Sequence, residues 1–184
     1  MTYLEKLYQL RSRREMMPST ISEATLTKAI DHVRLAACGK NLQQLRYVLV
    51  NDEQVNDIFN LTNLPTAHKI ADNQKPAAFI VMGSLEDIKG NTLFGIDEGI
   101  ASQVIREYLF DEGYASLCIY SFNRLILKEL LGINNFYPDL LIAIGKSEQI
   151  VNIEDSDEEV ANYRNENNEH TVRKLTSEKL ILKR

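Results

Sequence analysis

The chain has 184 residues, a length typical of one domain. Hydrophobic residues make up 44% and charged residues 26%, which excludes a disordered or fibrous protein, and two cysteines exclude a disulfide scaffold. The 26 acidic residues outnumber the 21 basic ones, so the net charge of −5 disfavours a general nucleic-acid binder.

The sequence also predicts where the protein resides. No apolar run approaches the roughly 18 residues that a transmembrane helix needs. The first residues lack the basic start, apolar middle and small-residue cleavage site of a signal peptide. We therefore expect a cytoplasmic protein with reduced thiols and no membrane partner. Three scattered histidines give no reason to expect a metal site.

The first quarter of the chain is predicted to hold two helices and a strand. Apolar residues recur at near-helical spacing over residues 3–10. Pro18 breaks this pattern, and Ser22 is a candidate N-cap for a second helix that continues through Ala36 and Ala37. Gly39 is expected to stop that helix, and a β-rich run at 46–50 follows.

The middle of the chain alternates short apolar runs with helical patterns. Residues 53–60 indicate a short helix, 61–75 are polar and irregular, and 77–82 indicate a buried strand. The clearest helix of the chain is expected to open at Asp97 and to close at Gly113.

A strand, a helix and a second strand are predicted next. The strand covers 115–120, and Asn123 is expected to cap a helix that runs to Leu131 and stops at Gly132. Residues 139–144 indicate another buried strand. Helices alternating with short strands give a layered α/β or α+β domain, and periodicity alone does not choose between them.

The character of the chain changes near residue 150. Residues 154–159 hold five acids, which is typical of a solvated segment, and the last fifteen residues are basic. Such a tail has little core of its own, so it is expected to pack on the body of the domain or on a partner subunit. We therefore treat 1–150 as the main body and 151–184 as its extension, with His170 as a packing residue of the tail.

The first candidate site is the basic cluster Arg11, Ser12, Arg13 and Arg14. Arginine offers a planar fork of donors, so the cluster suits a phosphate or another anion. The alternative is a solvated basic end of the first helix, favoured by the helix dipole.

The second candidate is the polar loop at 37–44, where Gly39 allows close backbone approach and the amides of Asn41 and Gln43 could contact a planar ring. The third is the segment 113–122, whose small residues could let backbone N–H groups approach a ligand. The alternatives are an ordinary polar loop and an ordinary buried strand. Cys38 and Cys118 are expected to be buried, inert thiols rather than redox-active ones.

Taken in order, these segments resemble the nitroreductase family of flavin mononucleotide (FMN) enzymes. Residues 10–14 resemble the family's Arg-Arg-Ser-x-Arg, and residues 37–45 resemble Pro-Ser-Gly-x-Asn-x-Gln-Pro-Trp. Residues 97–101 match Asp-x-Gly-x-Ala, and residues 113–116 are similar to Gly-Leu-Gly-Ser. An apolar strand ending in glycine follows at 143–145 and, at 163–174, a tail similar to Tyr-x-Arg-Asp-Glu-x-Gly-x-His-x-Val-Pro-Lys-Arg. The resemblance spans nearly the whole chain.

The resemblance implies an α+β fold with a central, mainly antiparallel sheet flanked by helices. It implies a homodimer in which two chains intertwine, the flavin lies at their interface and the C-terminal tail reaches the partner subunit. It also implies a set of cofactor-binding residues. They are Arg11 and Ser12 at the phosphate, Arg14 near N1 and O2 of the flavin ring, Cys38, Asn41 and Gln43 along the ring and ribityl chain, Ile119, Tyr120 and Ser121 near N5, and Arg173 and Lys174 at the phosphate.

The chain departs from the family pattern at several positions. Leu10 stands where the pattern has an arginine, so one phosphate contact is missing unless Arg13 or Arg173 replaces it. Ala115 replaces a glycine in the third segment, and Leu175 falls where the tail pattern has an arginine.

The resemblance further implies an oxidoreductase. NADH or NADPH would deliver a hydride to FMN, and the electrons would pass in a ping-pong exchange to an electron-poor small molecule such as a nitroaromatic or a quinone. No side chain is expected to be an obligate acid or base. Two alternatives stay open: a flavin carrier or redox sensor without general reductase activity, and a cofactor-free interaction domain.

Overall fold

The structure is a computed structural model that describes residues 1–64, 70–88, 90–157, 163–167 and 169–182. The helices of these ranges are α1 (Tyr3–Gln9), α2 (Glu23–Val33), α3 (Gln54–Asn60), α4 (Thr92–Asp111), α5 (Arg124–Leu131) and α6 (Ser177–Leu180). The strands are β1 (Arg46–Val50), β2 (Ala78–Ser84), β3 (Ala115–Ile119), β4 (Tyr137–Gly145), β5 (Val151–Ser156), β6 (Tyr163–Arg164) and β7 (His170–Leu175).

The core is built on a four-stranded sheet in the order β1-β2-β4-β3, in which every neighbouring pair is antiparallel. All seven residues of β2 are buried, because apolar side chains cover both faces of the central strands. One face packs against Ile58 of α3 and Leu127 of α5, and the other against Leu26 of α2 and Ile105 of α4. Helices therefore flank the sheet on both sides, and the predicted α+β fold is confirmed.

Local signals place several helix ends where the sequence predicted them. The Ser22 hydroxyl accepts the Thr25 N–H at 3.1 Å at the start of α2. The Asn123 side chain accepts the Ile126 N–H at 3.2 Å at the start of α5, and Gly132 ends that helix in the left-handed conformation. These signals act within a few residues, so the local sequence specifies them.

The predicted end of α2 is wrong. The helix stops at Val33, and residues 34–37 leave it by short turns, in which Ala36 N–H donates to the Val33 carbonyl at 2.9 Å. After this turn the backbone of Gly39 contacts α4, where the Gly39 N–H donates to the Asp97 carboxylate at 2.8 Å. This distant contact stabilises the early end of the helix.

The predicted start of α4 is also wrong. The helix begins at Thr92 and is capped by Asn91, whose side-chain oxygen accepts the Phe94 N–H at 3.2 Å. Gly95 lies between this cap and Asp97 and weakens the helical pattern there. Although α4 has 20 residues, no helix within the described ranges is long and apolar enough to cross a membrane.

The C-terminal segment forms a second, three-stranded sheet in the order β5-β7-β6, with β5 parallel to β7 and β6 antiparallel. The sequence predicted a tail with little core of its own, and the structure shows a tail with regular strands. Its buried residues are nevertheless polar, namely His170 and Thr171. The sheet contacts the body of its own chain, where Arg164 lies 3.4 Å from Glu15. A reach of the tail to a partner subunit stays a prediction.

Candidate functional site

The basic cluster after α1 meets α4 and β3. Ser12 forms a parallel bridge with Ser116, and the Arg106 Nε donates to the Ser116 hydroxyl at 3.2 Å. Burial lowers the pKa of the Arg11 guanidinium, and the positive charge of Arg106 lowers it further. Two guanidinium groups of like charge therefore lie close together, beside the Ser116 hydroxyl and the backbone of Ser12.

One donor of this cluster is unsatisfied. The Arg11 Nε is buried and has no hydrogen-bond partner within the part of the chain that the structure describes. A cavity of about 220 Å³ adjoins it, lined among others by Arg11, Arg13, Gly113 and Ser116. A buried donor without a partner is rare in folded proteins, and an anion between the two arginines would satisfy it.

The other two arginines of the cluster face the C-terminal segment. Arg13 Nη1 donates to the Gln149 carbonyl, and the Arg14 N–H donates to the Gln149 side chain at 2.8 Å. The Arg14 Nη1 lies 3.4 Å from the His170 Nδ1. Burial lowers the pKa of Arg14, and the charge of Arg164 lowers it further. Arg14 is thus held at the junction between the body and the second sheet.

The predicted tail residues lie in the second sheet. Arg173 is paired with Glu154 at 3.4 Å, and its guanidinium lies 5.7 Å from the centre of the Tyr163 ring. Lys174 is exposed. Neither residue lines the cavity beside Arg11.

The loop before β1 has an unusual backbone. Lys40, Asn41 and Gln43 all adopt left-handed conformations, with φ between 49° and 54°. Residues other than glycine rarely adopt them, and each such residue stores strain that the surroundings must hold. Here Asp97 holds the N–H of Gly39, and Arg46 donates to the carbonyl of Gln43 at 2.8 Å. Such strain is typical of functional sites.

This loop lines a cavity of about 160 Å³ together with α4. The lining includes Cys38, Gln43 and Tyr47, and the Gln44 side-chain oxygen is buried without a hydrogen-bond partner among the described residues. Burial raises the pKa of Tyr47 to about 12, and the charge of Glu98 contributes to the increase. Cys38 is half-buried, not buried as predicted, and its thiol lies 3.9 Å from the Asn41 side-chain oxygen.

The end of β3 opens onto a cavity of about 800 Å³. Ile119 is buried, whereas Tyr120 is 64% exposed and lines the cavity. Ser121 is exposed, and its carbonyl accepts the Asn63 N–H at 2.8 Å. The Arg124 guanidinium stacks on Tyr120, 4.4 Å from the ring centre.

Sequence reasoning missed two charged residues of α4, Glu98 and Arg106. With Ser102 they recur every four residues, so they share one face of the helix, and all three influence the thiol of Cys118 in β3. Cys118 is half-buried, not buried as predicted, and this burial raises the pKa of its thiol. The sequence signal for these residues is their spacing of four, which places polar side chains in one row along a helix that also has an apolar face.

The predicted residues therefore fall in separate places within one chain. Arg11 and Ser12 lie beside Arg106 at one end of β3, and Ile119, Tyr120 and Ser121 lie at its other end. The remaining residues lie elsewhere: Cys38, Asn41 and Gln43 are in the strained loop, and Arg14, Arg173 and Lys174 are in or beside the second sheet.

Comparison with solved structures identifies the fold. A nitroreductase family protein from Clostridium novyi NT is 25% identical, with a TM-score of 0.68 over 80% of this chain and 86% of that chain. A nitroreductase family protein from Streptococcus pneumoniae TIGR4 is 16% identical, with a TM-score of 0.74 over 100% of both chains. An FMN-dependent nitroreductase from Clostridium difficile R20291 is 20% identical, with a TM-score of 0.64 over 79% of this chain and 88% of that chain.

No family model and no curated protein matches the sequence. The structural likenesses nevertheless confirm the predicted resemblance to the nitroreductase family, and the chain has the nitroreductase-like fold.

Proposed function

We propose that this protein is an FMN-dependent oxidoreductase that takes electrons from NADH or NADPH and passes them to an electron-poor small molecule, such as a quinone or a nitroaromatic. The observation that carries the proposal is the unpartnered, buried Nε of Arg11 next to Arg106, on a nitroreductase-like fold. A solved neighbour with this fold is named as FMN-dependent, which supports the same cofactor.

The residues present fit a flavin phosphate. Arg11, Arg106 and the hydroxyls of Ser12 and Ser116 would supply charge and donors, and the adjoining cavity of about 220 Å³ gives the phosphate room. The side chain of Leu10 is buried, so the contact that is missing there would come from Arg106, which lies beside Arg11. Arg13 also lines the cavity but donates to the Gln149 carbonyl, and Arg173 is paired with Glu154.

The other residues would orient the ring and exclude water. FMN supplies the two-electron chemistry when it is bound. Arg14 would hold a positive charge beside the N1 and O2 side of the ring, where it favours negative charge. Cys118 and the backbone of residues 119–121 would contact the ring, and Tyr120, which is exposed, would limit the access of water.

We further propose a homodimer that packs through α4. The helix exposes Ile96 and Ile100, which are 56% and 38% accessible. A Cβ added at Gly99 would meet nothing within 4 Å, so this face is open as well as apolar. Two such faces could approach closely, and a second copy would bring a second strained loop near the flavin. We expect light scattering to give the mass of a dimer for the wild-type protein. Gly99→Arg places a large charged side chain on this face and should give the mass of a monomer.

FMN binding tests the phosphate contacts. Fluorescence titration of the protein with FMN should give dissociation constants about 10-fold or more higher for Arg11→Gln and Arg106→Gln, because each change removes a charge-assisted hydrogen bond worth about 1.5–3 kcal/mol. Lys28→Gln is the control, since it also removes one positive charge, and Lys28 is exposed on α2 and lines none of the three cavities described above. Equal affinities in Lys28→Gln and Arg106→Gln would refute the assignment.

Turnover tests the activity. We expect the FMN-loaded protein to oxidise NADH or NADPH when p-benzoquinone is present. Tight FMN binding without turnover would contradict the reductase and favour a flavin carrier or redox sensor.

A further inference from the structure

The cavity of about 800 Å³ contains a buried acid that neither the fold nor the flavin phosphate explains. It lies between the first half of α4, the start of β4 and α5. Glu98 lines it and is only 7% exposed. The Glu98 Oε1 is buried and has no hydrogen-bond partner among the described residues.

The Glu98 carboxyl group also contacts a second carboxyl group, that of Asp139. Glu98 shares a hydrogen bond with Asp139, and two carboxyl groups can do this only if one of them carries a proton. Arg124 donates to the Asp139 carboxylate at 3.3 Å and to its backbone carbonyl at 2.9 Å, so Asp139 is held in place beside Glu98. Burial and the neighbouring Asp139 carboxyl raise the pKa of Glu98, so Glu98 is the partner that keeps the proton, and its unpartnered Oε1 can accept a hydrogen bond.

The walls of the cavity suit a flat molecule. Tyr120, Tyr137 and Phe94 supply aromatic surface, and Leu125 and Pro138 supply aliphatic surface. Both cations of the lining are engaged by rings: Arg124 lies 4.4 Å from the centre of Tyr120, and Lys128 lies 4.0 Å from the centre of Tyr137. These contacts disfavour an anionic ligand and favour an uncharged aromatic ring.

We propose that this cavity binds a flat, uncharged aromatic molecule that carries an N–H or O–H donor, such as a primary carboxamide or a phenol, and that the Glu98 Oε1 accepts that donor. The selectivity goes beyond the proposed function, because quinones and nitroaromatics as a class need no such donor. A site that accepts a hydrogen bond rejects an analogue without the donor, since the buried oxygen then stays unpaired.

Two matched probes test the selectivity. Benzamide has two N–H donors and N,N-dimethylbenzamide has none. Their dissociation constants are measured by ligand-observed NMR on protein that has been mixed with FMN and desalted. We expect benzamide to bind wild-type protein about 10-fold more tightly than the dimethyl compound.

Variants of Glu98 separate hydrogen bonding from size. Glu98→Leu should bring the two probes within about two-fold of each other, and Glu98→Gln should keep the preference, because its amide can donate to Asp139 and still present an oxygen. Thermal melts verify that both variants are folded. A preference that persists in Glu98→Leu, or equal binding of both probes to wild-type protein, would overturn the inference.

The flavin absorbance of the same samples shows which of the two proposals fails, the FMN-dependent function or the selectivity of the cavity. Probe selectivity in a protein that retains no FMN would contradict the proposed function alone. Retained FMN with equal binding of the probes would contradict this inference alone.

Discussion

Replacing Glu98 with glutamine should make the protein less sensitive to alkaline pH. Burial raises the pKa of this carboxyl from its ordinary 4.5 to about 8, and the charge and hydrogen bond of Asp139 add to the effect. At a pH between 4.5 and about 8, Glu98 is protonated in the folded chain and ionised in the unfolded chain. The contribution of Glu98 to stability therefore falls as pH rises from 4.5, and it levels off above about 8.

The size of the effect follows from the same values. At about 1.4 kcal/mol per pH unit, the wild-type protein should lose up to about 2–3 kcal/mol between pH 6 and pH 9 relative to Glu98→Gln. For a chain of this length, that loss corresponds to roughly 5–10 °C in melting temperature. The other ionisable groups that act on Glu98 or respond to it are Asp139, Arg124, Tyr47 and Cys118, and they are common to both proteins.

Thermal melts followed by circular dichroism at pH 6, 7, 8 and 9 measure the difference. Glu129→Gln, on an exposed position of α5, is the matched control and should follow the wild-type curve. A gap between wild type and Glu98→Gln that stays constant from pH 6 to pH 9 would refute the protonated, buried state of this carboxyl.

Three further predictions concern stability. Gly83→Ala should destabilise the protein by about 2 kcal/mol or more in chemical denaturation, because its Cβ would overlap a backbone carbonyl of β4. A change of less than about 0.5 kcal/mol would contradict this packing. Burial and the charges of the nearby arginines lower the pKa of His170, so the stability of the protein should fall as the pH decreases below 6.5. Thermal melts at acid pH should show a smaller fall in melting temperature for His170→Gln. The same dependence of melting temperature on pH in both proteins would argue against a buried, neutral His170 ring. Asn123→Ala removes the cap of α5 and should lower stability by about 1 kcal/mol in urea unfolding, and a neutral result would show that the cap contributes nothing.

The parts of the fold that the sequence predicted correctly are those that neighbouring residues determine. Ser22, Asn123 and Gly132 act on groups within one helical turn, so their roles were visible in the sequence. The start of α4 was missed because Gly95 and Gly99 disguise its first turns. The end of α2 was missed because a distant carboxylate on α4 determines where the chain turns.

The candidate site shows the same division. Arg11 and Ser12 were predicted because they stand in a local basic cluster that matches a family pattern. Arg106 lies about half the chain away, and only the packing of α4 against β3 brings it to Arg11. Glu98 looked like an ordinary helical acid, because the burial that changes its chemistry comes from the sheet and α5.

Flavin retention tests the central proposal most directly. The purified protein is mixed with FMN, desalted, and its absorbance spectrum recorded before and after NADH or NADPH is added without oxygen, and again after p-benzoquinone. We expect retained flavin bands that bleach with the nicotinamide and return with the quinone. A protein that retains no flavin after this treatment would contradict an FMN-dependent oxidoreductase and favour an interaction domain without a cofactor.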